Sequence, residues 1–399
     1  MRALERIQLK HQKDNSKKPY FDYTMLAVVV LLVCFGFVMI YSASAYQASL
    51  NPKIGDSMYF LRKQVLAAIL GFAVMAALVF IPPKVYRKIP SWIYLLASFI
   101  LMGLLLGGDK IAITSHGATR WLKIGPLPQF EPVEVVKLLM IIFYARVISK
   151  RGKNLDDPKV IFLPLIPVVI LAAFIRFTSH NLSSALIVGI IPVLMISIAA
   201  QNKKAIAIAW GAIIAIAAAA VGAVVLADKI TGGNLGNFRF ERIMAWIHPE
   251  QYGSDQSFQT MQALYAIGSG GIFGKGLGES IVKIGDISEA QNDMIFSIVC
   301  EEMGIFGAVC LIALFAILIY RLFVIAANTR DLFNALLVTG ILCHISVQVL
   351  LNIAVVTNTM PNTGVSLPFI SAGGTSVLLF LVEIGIALSV GRNIMIEKK

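Results

Sequence analysis

DYTMLAVVVLLVCFGFVMIYSASA, residues 22–45, begins with one acid and then carries no charged side chain at all. Crossing the roughly 30 Å hydrocarbon core of a bilayer takes about 20 consecutive apolar residues in a helix. This run is long enough to span, and too long for the apolar region of a signal peptide. No small-residue cleavage site followed by a soluble domain comes after it, so it is read as a retained membrane span.

The same pattern recurs along the chain. Apolar runs fall at 23–45, 64–82, 91–107, 133–149, 160–177, 182–200, 204–227, 294–325, 331–355 and 373–391. Across all 399 residues, 58% are hydrophobic and only 14% charged, where a soluble domain carries about 25% charged residues. A large soluble helical protein would need helices apolar all round yet packed in water. The expected fold is therefore an all-α polytopic membrane protein with ten transmembrane helices.

Charge gives the orientation. The formal net charge is +12, from 34 Lys and Arg against 22 Asp and Glu. The basic residues are dispersed between spans: in the tail of residues 1–21, in KVYRK (84–88), SKRGK (149–153) and NKK (202–204), in the 321–330 link and at the C-terminal end. The positive-inside rule and anionic lipid headgroups account for that distribution, with both termini cytoplasmic and without any nucleic-acid partner. The chain then divides into a basic cytoplasmic tail (1–21), a transmembrane domain (22–392) and a short cytoplasmic tail (393–399). Cys34, Cys300, Cys310 and Cys343 all lie in apolar runs without metal-ligand spacing, and read as small buried hydrophobes.

The outer face then carries the loops 108–132, 228–293 and 356–372. The second, between the seventh and eighth helices, is far longer than an ordinary connection, and such loops tend to be functional. In ISEAQNDMIFS (287–297), Glu289 and Asp293 stand four residues apart just before an apolar run. If helical, they share a face. Asp293 could serve the first turn of that helix as a cap or dipole partner, or act as a general base in a cleft at the membrane surface. Glu301 and Glu302, two turns deeper, need partners or a polar cavity.

Other segments leave similar choices. AIGSGGIFGKGLGES (266–280) lacks the spacing of a phosphate-binding loop, but its glycines and Lys275 suit either a re-entrant turn or close approach to a pyrophosphate. Arg120, Lys123, Arg239, Arg242, Lys275 and Lys283 lie on the outer face, where the positive-inside rule does not demand them. They are solvated there or clamp an anionic headgroup. Trp121 is an interfacial anchor. Glu134 and Lys137 are i,i+3 neighbours and read as an ion pair. His180 and Asn181 either line a cavity or satisfy one another. Pro361, Gly364, Pro368, Gly373 and Gly374 imply a broken or re-entrant segment buried in protein. No internal repeat is evident, which counts against many transporter folds.

Together the segments YSASA (41–45), GATRWLKIG with EPVEVVK, AIGSGGIFGKGLG, EAQND with IFSIVCEEMGIFG, and NTMPNTGVSLPFISAGGTS resemble, in order and spacing, the SEDS family (shape, elongation, division and sporulation; FtsW, RodA and SpoVE). The resemblance covers residues 22–392. It implies a peptidoglycan glycosyltransferase that polymerises lipid II outside the bacterial cytoplasmic membrane. It also places the family's essential carboxylate at Asp293, with loop partners at Arg120, Glu134, Lys137 and Arg242. Beside these, Lys275, Glu289 and Glu302 are candidate substrate-binding residues. Gln291 and Asn292 stand where His-Thr is usual, HNLSSA (180–185) lacks an acid that some members carry, and Ala372 replaces a frequent Tyr.

The implied chemistry is base catalysis at an acceptor hydroxyl, with undecaprenyl pyrophosphate leaving. No tightly bound cofactor is expected, and any Mg²⁺ or Mn²⁺ would bind through the pyrophosphate. A class B penicillin-binding protein would be the partner, within a division or elongation complex. The first span and NTMPNTGVSLPF lean towards the division type. A lipid II flippase and a non-catalytic division scaffold are the rival readings.

Overall fold

The computed structural model describes residues 17–397 apart from 20, 53, 109–110, 116–117, 124–128, 153–162 and 281–289. Within 201–254 it describes only 202, 204–208, 210–211, 214–215, 219, 222, 243–244, 246–247 and 249. The expected residues Arg239, Arg242, Lys283 and Glu289 thus lie outside the described residues, as does most of the expected span 204–227.

The described residues of the apolar runs are largely helical. In order come α1 (Tyr23–Leu50), α2 (Tyr59–Val79), the short α3 (Lys84–Lys88), α4 (Ser91–Gly103), α5 (Pro132–Arg151), α6 (Leu165–Ser179), α7 (Leu182–Ala199), α8 (Asp255–Ser269), α9 (Ile295–Asn328), α10 (Leu332–Val356) and α11 (Gly374–Arg392). Each expected span outside 204–227 has a helix in its place, and within 204–227 the described residues are helical. Six of these helices (α1, α2, α7, α9, α10 and α11) are long and apolar enough to cross a membrane on those criteria alone. The protein is a multi-pass membrane protein.

Strands are few. β1 (Lys17–Pro19) pairs antiparallel with β4 (Met395–Glu397), which puts the two ends of the described chain on the same face. β2 (Ala112–Ser115) and β3 (Ala118–Leu122) make a hairpin in the first outer loop, and Leu122 bridges to Phe130 just before α5.

Small residues set the helix contacts. Lipid tails are as apolar as leucine, so membrane helices associate by close packing and interhelical hydrogen bonds. α11 packs most extensively on α2, where a methyl group on Gly71 would strike the Leu381 side chain and one on Gly385 would meet the Met75 backbone. Leu31, Val38, Leu66 and Ile69 point outward, as expected for lipid-facing positions. α5 and α10 lie at the centre, and α10 touches α5, α7, α9 and α11.

The expected broken segment, buried in protein, is present. No helix forms between Thr357 and Gly373, yet Val365, Leu367, Phe369, Ile370 and Ser371 are buried. Its backbone polar groups are paired inside the protein: Asn352 donates to the Val365 carbonyl at 2.7 Å, and Gln64 donates to that of Ser371 at 3.2 Å. Phe369 sits at φ 64°, a strained conformation for a bulky side chain, and α1 presses on its carbonyl at Gly36.

Candidate active site

Asp293 lies in a turn, not a helix. Residues 290–294 form turns before α9, and the helix's N-cap residue is Met294, with no side-chain cap. The capping reading therefore does not hold at Asp293, while the shared face with Glu289 involves a residue outside the described ones. Tertiary partners take the carbonyls that a helix would use: Ala372 donates to Gln291 O at 2.9 Å and Asn352 Nδ2 to Asp293 O at 2.7 Å. The carboxylate faces the re-entrant segment, since a methyl group on Gly364 would lie 3.5 Å from Asp293 Oδ2. Asp293 remains only partly buried.

A polar stripe on α10 holds this corner together. His344, Gln348 and Asn352 recur every four residues, so they share one face of the helix. Asn352 clasps the Asp293 and Val365 carbonyls. Gln348 Nε2 donates to the Ser366 carbonyl at 3.2 Å, while its Oε1 accepts from Lys137 Nζ at 3.2 Å and lies 2.9 Å from His344 Nε2. A carbonyl only accepts, so Ser366 fixes the amide orientation, and His344 Nε2 must carry hydrogen. His344 Nδ1 then faces both Glu383 oxygens at 2.9 and 3.0 Å. Charged groups inside a membrane persist when partnered in this way.

On α5, Lys137 Nζ donates to Glu134 Oε1 at 2.6 Å with both side chains buried, as the expected ion pair requires. One turn earlier, Glu131 ends the outer loop. Burial pushes its carboxyl up from the ordinary 4.5 to about 7, and the charge of Glu134 pushes the same way. Lys137 and Arg120, on β3, pull it down. Arg120 and the Glu134–Lys137 pair are thereby brought to one electrostatic neighbourhood.

Several buried polar atoms around this corner have no hydrogen-bond partner: Arg120 Nε, Glu134 Oε2, Gln291 Oε1, Asn352 Oδ1 and Thr363 Oγ1. Buried polar atoms are normally paired, so each of these is a place where a substrate group could be received. Here cationic donors, acceptors and a partly open carboxylate converge. Such a set can bind a polar, anionic substrate and remove a proton from it. Among the described residues no three His, Cys, Asp or Glu side chains gather to hold a metal.

The deeper acids are arranged differently. Glu301 is fully buried and is held by Lys275 Nζ at 2.8 Å and by the Ser280 hydroxyl. The Ser42 hydroxyl of α1 lies 2.6 and 2.7 Å from the two Glu302 oxygens. Between the acids and the rest of α9 the helix breaks at Gly304, whose φ of 67° and ψ of −166° suit only glycine. The glycine-rich turn docks on that break. Lys275 N and Gly276 N donate to the Glu301 and Glu302 carbonyls at 2.9 and 3.0 Å, and Ile305 N and Phe306 N donate to Gly271 O and Ile272 O, both at 3.0 Å. The turn therefore spends these amides on the helix, as a re-entrant turn does, and Lys275 on Glu301.

Asn181 caps α7 by accepting from Ser184 N at 3.2 Å, and His180 makes a left-handed turn before it. The Ser183 hydroxyl donates to the Thr363 carbonyl, tying α7 to the re-entrant segment. Glu131, His344, Gln348, Asn352 and Glu383 escaped the sequence reading. The four-residue polar spacing on α10 and the lone acid in FLVEIGIALSV were the available signals.

The cell cycle protein family of FtsW, RodA and SpoVE matches residues 22–395. The chain belongs to this family. It is 32% identical over 376 residues to a probable peptidoglycan glycosyltransferase FtsW of Geobacter sulfurreducens, covering 94% of this chain and 96% of that one. It is also 32% identical over 378 residues to the stage V sporulation protein E of Bacillus subtilis, at 95% and 99% coverage. Among solved structures, rod shape determining protein RodA of Thermus thermophilus superposes with a TM-score of 0.62 at 25% identity, over 94% of this chain and 98% of that chain. A chain of a peptidoglycan synthase complex reaches 0.74 at 23% identity over the same shares, a likeness of fold.

Proposed function

We propose that this FtsW/RodA/SpoVE-family protein is a peptidoglycan glycosyltransferase of the bacterial cytoplasmic membrane. It polymerises lipid II at the outer face, with Asp293 as general base. The observation that carries the reading is the corner itself: a partly buried Asp293 whose carboxylate faces Gly364 and whose turn is held by Asn352 and Ala372.

In this reading Asp293 takes the proton from the 4-hydroxyl of the acceptor's GlcNAc as that oxygen attacks the donor's MurNAc anomeric carbon. Inversion yields a β-1,4 bond. The leaving undecaprenyl pyrophosphate gains negative charge, and Arg120 and Lys137 are the cations placed to stabilise it. Asn352 and Gln348 hold the Asp293 turn and the re-entrant segment in register, which is the positioning that such a step needs. A divalent cation, where used, would arrive on the pyrophosphate. A class B penicillin-binding protein would crosslink the product, in division or sporulation.

Supplying the purified chain and its transpeptidase partner with labelled lipid II in liposomes tests this. A ladder of glycan products supports the polymerase. Movement of lipid II between leaflets without any polymer would support a flippase instead.

A further inference from the structure

Opposite the corner just described, α3, the last turns of α5 and the start of α10 line an open cleft of about 440 Å³. This is within the range of small-ligand sites. Arg87, Arg146, Ser149, Lys150 and Asp331 line it. It lies on the face of the chain termini, because Arg321, late in α9, pairs with Asp22 at the start of α1 at 2.8 Å, and the α9–α10 turn follows.

Its electrostatics are unbalanced. Three cations meet one carboxylate, and Asp331 is already engaged by Arg87 at 2.8 Å and by the Asn334 amide it caps at 3.1 Å. Two nitrogens of the Arg146 guanidinium, Nε and Nη1, are sealed from solvent without a hydrogen-bond partner. Leaving a charged donor unsatisfied costs more than leaving a neutral one, so a bound anion that draws the Arg146 guanidinium towards the cavity is favoured. A planar guanidinium is well matched to two oxygens of one phosphate.

We propose that this cavity binds a phosphate-bearing anion, with Arg146 as its principal contact and Arg87 and Lys150 at its rim. An inner-leaflet lipid headgroup and a soluble phosphate share that chemistry. Basic pockets between helices on this side of a membrane suit such headgroups. The occupant would tie together α3, α5 and α10, the last two being the helices that carry Lys137 and Asn352. The inference does not depend on the catalytic reading.

The test uses the full chain, stripped of lipid in detergent, in native mass spectrometry and thermal unfolding. Phosphatidylglycerol should be retained where phosphatidylcholine washes off, and should raise the melting temperature to a plateau. Arg146→Gln should weaken retention about tenfold, whereas Lys204→Gln, outside the cavity, should not. Should Arg146→Gln fail to fold, Arg87→Gln and Lys150→Gln give the same reading, each with a smaller loss. Inorganic phosphate that matches the lipid's stabilisation, and loses it in the same variants, would assign the site to a soluble anion. Equal binding by wild type and cavity variants, or an equal loss in Lys204→Gln, would overturn the proposal.

Discussion

Two groups of acids sit within a dozen residues of one another, and the protein treats them in opposite ways. Glu301 and Glu302 are buried, each with a hydroxyl aimed at its carboxylate and with Lys275 closing an ion pair. Asp293 stays partly open, in a region where five buried polar atoms have no partner. Carboxylates of one kind thus serve two ends. Where burial is complete and a hydroxyl or a lysine closes on the acid it can hold the helices together, and where the acid stays partly exposed, as at Asp293, a substrate can reach it.

Breaking the scaffold should have the largest effect. A methyl group on Gly304 would fall 2.4 Å from Gly274 N and from Ile272 O, at a φ that only glycine tolerates. Gly304→Ala is expected to abolish recovery of monodisperse protein in detergent, as size-exclusion chromatography would register. Normal yield would mean that the break is not fixed by this packing.

Next comes Lys137, which sits between the two kinds of site. Lys137→Met strands the Glu134 carboxylate and should cost about 3–5 kcal/mol of stability. Replacing Glu134 by Met as well should restore the melting temperature but not lipid II polymerisation. Recovery of both would make the pair purely structural.

Glu131 sharpens the comparison through pH. Its folded carboxyl titrates near 7 against an ordinary 4.5, so the folded state holds the proton more tightly between those values. Its contribution is most favourable below about 4.5 and becomes a penalty as pH rises towards 7. The melting temperature of Glu131→Gln relative to wild type should therefore climb across that window and level off above it. A constant difference would place Glu131 in an ordinary environment. The smallest effect is expected from Ser42→Ala, at about 1–2 kcal/mol of stability with polymerisation changed less than about twofold.

How much of this was legible without coordinates follows from which interactions are local. The spans could be read because apolar length is a property of a continuous run, as in residues 22–45. The Glu134–Lys137 pair could be read because its members are one turn apart, and the re-entrant segment because Pro361, Gly364, Pro368, Gly373 and Gly374 crowd it. Ser42–Glu302, Lys275–Glu301 and His344–Glu383 could not, since their partners lie on different segments and hydropathy carries no trace of who meets whom. The glycines at 270–276 left a choice between close approach to a pyrophosphate and a re-entrant turn. It took the break at Gly304, elsewhere in the chain, to show what their amides hold.

The division between working and scaffolding acids is tested most directly by polymerisation rate per folded molecule. Wild type, Asp293→Asn and Glu301→Gln would each be assayed with labelled lipid II beside the transpeptidase partner, with the folded fraction measured in parallel. Asp293→Asn should fold normally and lose about 10²–10⁴-fold in rate, while Glu301→Gln should lose stability and keep most of its rate per folded molecule. An Asp293→Asn variant that polymerises at the wild-type rate, or a folded Glu301→Gln variant just as inactive as Asp293→Asn, would contradict it.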